Sequence, residues 1–107
     1  MFQNEMPYDP PTQAAWQHDG VNGYAAYKVA DSVKVHEAWG LGSYSFFNVG
    51  PDIHATRAFE VPVTPGVKMH SLLTVWLNAN GGIDHVINDT GAAVNSTNPL
   101  STVVSYP

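Results

Sequence analysis

Cysteine is absent from these 107 residues, which excludes a disulfide framework and any thiolate metal site. Charge is scarce too. Asp, Glu, Lys and Arg make up 12% of the chain, about half the usual share, and only four residues are Lys or Arg. With a net charge of −5, no basic cluster can neutralise phosphates, so nucleic acid is not an expected partner. An anionic membrane surface is excluded on the same ground. No apolar run approaches the roughly 18 residues of a membrane span. The opening residues, MFQNEMPYDPP, carry neither a basic n-region nor an apolar h-region. A secreted origin would therefore place the signal peptide outside this sequence.

What is present is a β protein of single-domain size. Apolar residues reach 44%, enough for a core. Residues 1–23 read as an extended, Pro-rich N-terminal segment, because Pro7, Pro10 and Pro11 remove donors and bias their predecessors away from helix. Thr12 can cap one short helical turn over 12–17. His18-Asp19-Gly20 and Asn22-Gly23 are turn signals. From Tyr24 onward β signals dominate. Runs are expected at Tyr24–Val29, Val33–Trp39, Ser43–Phe47, Ala58–Val61, Leu72–Leu77, Ile83–Ile87 and Ser101–Tyr106. The Leu72–Leu77 run is almost unbroken, as in a strand covered on both faces. Gly40 and Gly42 mark a bend or bulge. Trp39 and Trp76 are expected in the core, whereas Trp16 and Tyr8, beside the Pro-rich loop, are expected nearer the surface.

The fold expected is all-β, 1–107 as a single domain of short strands. Pattern alone leaves sandwich and solenoid open, and no exact internal repeat decides between them.

Candidate chemistry is sparse. The histidines at 18, 36, 54, 70 and 85 stand singly, without an HxH or HExxH spacing, so no metal is expected. His36 and Glu37, adjacent in a strand, point to opposite faces and cannot chelate together. Gly42-Ser43-Tyr44 lacks the second glycine of a nucleophile elbow. No cofactor-binding loop is present. Asn88-Asp89-Thr90 and Asn95-Ser96-Thr97 form two N-glycosylation sequons. Trp16, Tyr24, Tyr27, Trp39, Tyr44 and Trp76 could supply aromatic faces for sugar rings or could serve as core.

The blocks FQNEMPYDPPTQAAW, VNGYAAYKVADSV, HEAWGLGSYSFFNV, AFEVPVTPGVKMHSLLTVWL and IDHVINDTGAAV resemble the C-terminal part of large secreted microbial proteins with a pectate-lyase-like right-handed β-helix. Those proteins are related to the β-1,3-glucanases of glycoside hydrolase family 55. The resemblance implies the final coils of a parallel β-helix, a β-sandwich being the alternative. It also implies a secreted origin and a polysaccharide, β-glucan, as partner. Within Gln3-Asn4-Glu5-Met6-Pro7-Tyr8 it makes Glu5 the candidate acid that protonates the leaving glycosidic oxygen. Gln3, Tyr8 and Trp16 become candidate substrate contacts. The alternative for Glu5 is a solvated side chain near the terminus. Inverting hydrolysis also needs a second carboxylate about 6.5–9.5 Å away, which the resemblance places in coils upstream of this sequence. The chain by itself is thus expected to be inactive and to keep a structural or carbohydrate-binding role. A different reading is a self-standing secreted β protein, effector or lectin-like, acting through protein contact. An open coil face implies a homo-oligomer.

Overall fold

The computed structural model describes residues 2–5, 12–46, 52–78 and 80–107. Among them there is no helix. Tyr8 and the Pro-rich run around it lie outside the described residues. The strands are β1 (Phe2–Glu5), β2 (Gln17–His18), β3 (Val21–Asn22), β4 (Tyr27–Lys28), β5 (His36–Trp39), β6 (Leu41–Phe46), β7 (His54–Glu60), β8 (Val67–Asn78), β9 (Gly82–Ile87) and β10 (Leu100–Tyr106).

Two stacks carry the architecture. In the larger, β1, β6 and β8 pair in parallel and β10 closes the order antiparallel, while β5 pairs in parallel with the first part of β8. In the smaller, β4, β7 and β9 are parallel and in chain order. Between them lies an apolar core that includes Leu41, Phe59, Met69, Leu72, Val86 and Ile87.

The strand rows explain which side chains are buried. Asn4, Ser43, Thr74 and Ser101 stand in one register row, and Ser43, Thr74 and Ser101 are buried. The adjacent rows, Gln3–Gly42–Leu73–Thr102 and Glu5–Tyr44–Val75–Leu100, alternate with it as period 2 requires. Leu72–Leu77 is therefore not covered on both faces. Leu72 and Thr74 are buried, Leu73 and Val75 are half-buried, and Leu77 is 42% exposed. The run is apolar on both sides, yet only one side meets the core.

A corner recurs from one layer to the next. Gly40, at φ 71°, separates β5 from β6, and Ser71, at φ 56°, bends β8 at the matching position. The Gly40 N–H donates to the His70 carbonyl at 2.9 Å, which holds the two bends together. Both adopt the left-handed conformation that glycine tolerates and serine resists.

The N-terminal segment is more structured than its prolines suggest. It contributes β1 and the β2–β3 hairpin, whose turn is formed by Asp19 and Gly20 at positive φ. The Thr12 cap is present, with the Ala15 N–H donating to its Oγ1 at 3.0 Å. Gln13 then pins this turn to β7: its Nε2 donates to the His54 carbonyl at 2.9 Å, and the His54 N–H donates to its Oε1 at 2.7 Å. The side-chain amide replaces a strand partner there.

Candidate functional site

Glu5 ends β1, at the register position of Tyr44 on β6 and, one strand further, of Val75 on β8. Gln3 occupies the equivalent place two residues earlier, opposite Gly42. Both thus fall in the rows that alternate with the buried Ser43 row. Tyr44 lies back over Gly42, where a Cβ would sit 3.1 Å from its Cε2. A side chain at position 42 would crowd that ring, and glycine leaves it room. Trp16 is elsewhere. It is half-buried against the core, and a Cβ on Gly23 would sit 2.9 Å from its ring. The structure places Gln3 and Glu5 on one strand, Trp16 against the second stack, and Tyr8 outside the described residues.

Three polar clusters lie apart from that strand. Lys28 Nζ meets Glu60 Oε2 at 3.0 Å and Arg57 Nη1 meets Glu60 Oε1 at 3.2 Å, along an open polar cavity of about 460 Å³. The Glu60 hydrogen bond, followed by the Glu60 charge, raises the Lys28 pKa above its ordinary 10.5. His54 bridges two carboxylates, Asp52 at 2.9 Å through Nε2 and Asp84 at 3.2 Å through Nδ1, beside a cavity of about 550 Å³ that Asn95 and Thr97 also line. Glu37 Oε2 meets His70 Nε2 at 2.8 Å, while the neighbouring His36 turns away to Tyr27 Oη at 2.9 Å. His36 and Glu37 do diverge, as strand geometry demands. Among the described residues no group of three or more His, Cys, Asp or Glu is arranged to hold a metal ion.

Trp39 corrects the sequence expectation. It is 61% exposed, not core. Its ring stacks on His70, centroids 4.9 Å apart and planes 16° from parallel. The reason is register: Trp39 pairs with His70 whereas Ala38 pairs with the fully buried Met69. The core side of β5 is thus taken by Ala38, and the larger residue is left outside. Trp76 packs partly buried against the core.

Such a chain is an all-β protein built on in-register parallel strands closed by one antiparallel strand. No family model matches it. Over 107 residues it is 53% identical to an exo-β-1,3-glucanase from Streptomyces sp. strain SirexAA-E, covering 99% of this chain and 18% of that enzyme. It superimposes on the solved structure of sacteLam55A from the same organism with a TM-score of 0.93 and 54% identity, over all of this chain and 20% of that one. A glutamate-to-alanine variant of sacteLam55A in complex with glucose matches equally, at a TM-score of 0.93 and 53% identity. The chain is a relative of the β-1,3-glucanases of glycoside hydrolase family 55 and corresponds to their C-terminal part. It spans about a fifth of the length of the relatives it matches.

Proposed function

We propose that this chain supplies the terminal coils of a secreted, glucan-active right-handed β-helix, with β1 forming part of a carbohydrate site there. The observation that carries the reading is the match of all of this chain, 54% identity at a TM-score of 0.93, to a fifth of sacteLam55A. The parallel strands of the two stacks, in chain order in each, support the coil assignment: one strand from each stack per turn gives successive layers. In this reading Glu5 is the general acid, its carboxyl proton passing to the glycosidic oxygen as the bond to the sugar breaks. Gln3, two residues earlier on β1, hydrogen-bonds sugar hydroxyls. A second carboxylate, about 6.5–9.5 Å away, activates the attacking water and comes from upstream coils.

The test is glucose release from laminarin. The 107-residue chain by itself is expected to release none. Fused behind the upstream coils of the Streptomyces relative, it is expected to be active, and Glu5→Gln in that fusion is expected to lower the rate by roughly 10²–10⁴-fold. Activity in the fusion that Glu5→Gln leaves intact would sink the assignment of Glu5.

A further inference from the structure

We propose that one buried water molecule bridges the two stacks, held by Ser43 and Ser45 on β6 and by Nε of Arg57 on β7. Ser43 and Ser45 are two residues apart, so their hydroxyls lie on one side of the strand. That side is the interior: the two residues are 1% and 0% exposed. Neither hydroxyl has a hydrogen-bond partner among the described residues, and the buried Nε of Arg57 has none either. Buried polar groups are nearly always paired, with protein or with ordered water. An unpaired hydroxyl is costly, and an unpaired N–H of a charged guanidinium is more so. Three such atoms, two from one stack and one from the other, belong to residues that line the same cavity.

Size, surroundings and charge select the ligand. The cavity measures about 10 Å³, close to the roughly 10–15 Å³ that one water needs and too small for an organic molecule. β6 and β7 are the middle parallel strands of their stacks. Trp16 and Ala26, from the chain ahead of β4, and Ile83, on β9, also line the cavity, so it has a layer on either side and does not lie at an edge strand. Water fits the three atoms. It accepts from the Arg57 Nε–H and donates one hydrogen to each serine Oγ, the three bonds usual for a buried water. An anion is not called for, because Arg57 Nη1 already meets Glu60 Oε1 at 3.2 Å. Thr74 Oγ1 and Trp76 Nε1 are also buried without a partner, but those residues do not line this cavity. The water thus joins β6 to β7 by polar bonds inside the core. It also fixes the inner part of Arg57, whose outer end meets Glu60 and, through it, Lys28. The site involves neither Glu5 nor a sugar.

The experiment is a crystal structure of the 107-residue chain at a resolution that shows ordered water, with a second crystal soaked in bromide. One water is expected within about 2.5–3.2 Å of all three atoms, with no anomalous bromide peak there. Urea unfolding of Ser43→Ala, Ser45→Ala and the double variant gives a second readout. With the water in place, each single substitution lowers the unfolding midpoint. The double variant lowers it by less than the sum of the two, because the first change already releases the water. Were the hydroxyls simply unpaired, removing either would raise the midpoint, since a buried polar group without a partner is lost. Density without a water at the three atoms, a bromide peak in its place, or a midpoint that rises in both single variants overturns the site.

Discussion

Asn88 sits at the end of β9 in the left-handed conformation, φ 49°, only 8% exposed, and its side chain is fully committed. Its Oδ1 accepts from the Val61 N–H at 3.1 Å, and its Nδ2 donates to the Val61 carbonyl at 3.0 Å and to Tyr106 Oη at 2.9 Å. One amide thus joins the ends of β7, β9 and β10. Of the two sequons, this asparagine is a structural residue, while Asn95 lies in the loop between β9 and β10. Replacing Asn88 by alanine strands the Val61 groups and keeps the strained φ, so a loss of about 3 kcal/mol is expected in urea unfolding. Thr74 presents the opposite case. Its Oγ1 is buried without a partner, and valine has nearly its shape. Thr74→Val is expected to raise stability by about 1 kcal/mol, because the unpaired hydroxyl is the larger penalty. At Ser71 the strain is in the backbone. Ser71→Gly, at φ 56°, should stabilise by roughly 0.5–1 kcal/mol, the left-handed penalty less glycine's extra chain entropy. An unfolding midpoint that falls would refute either reading.

At the scale of elements, β4 is joined to the smaller stack by a short ladder and a side-chain pair. β4 is two residues long, and Lys28 stands directly across from Glu60 on β7. Because the Lys28 pKa is raised in the folded chain, protonation favours folding. The contribution is fully present below the ordinary lysine value of 10.5 and disappears as pH climbs through the folded-state value. Thermal melts at increasing alkaline pH should therefore show a fall in Tm that Lys28→Met reduces. An identical alkaline profile in the variant would remove this pair from the account. Since the Lys28 side chain is exposed, the effect is small and should fade further in high salt.

For the whole molecule, the order of each stack has a consequence. β1 ends the larger stack and β4 ends the smaller one, both at the side earliest in the chain. Edge strands at which the described residues show no further partner offer N–H and C=O groups to another chain. Val35, Val63 and Val104 add exposed apolar surface, each more than three-quarters exposed, and the low charge density supplies little repulsion. For the 107-residue chain by itself, self-association is the expected outcome, a symmetric dimer its simplest form. Light scattering across a concentration series decides it: a strictly monomeric particle at high concentration counts against an open coil face. Dialysis against EDTA should leave the melting temperature unchanged, given the separate engagements of the histidines. A drop of many degrees would point instead to the Asp52–His54–Asp84 group.

Local chemistry was legible in the residues alone. The Thr12 cap, the Asp19-Gly20 turn, the divergence of His36 from Glu37 and the strands at 83–87 and 101–106 all depend on neighbours within a few positions, so sequence determines them. The relationship to β-1,3-glucanases was likewise carried by the motifs. Partner choice was not legible. Phe2–Glu5 has no alternating pattern of its own and becomes a strand because β6 offers it a parallel edge. The burial of Ser43 and Thr74, the half-exposure of Leu73 and Val75, and the exposure of Trp39 all follow from register between segments some 30 or more residues apart. A shift of one residue in that register would turn each of them to the other face. Local preference carries no information at that range. Tertiary packing, by fitting Met69 and Leu72 to the core, decided which side of each strand the protein shows to its surroundings.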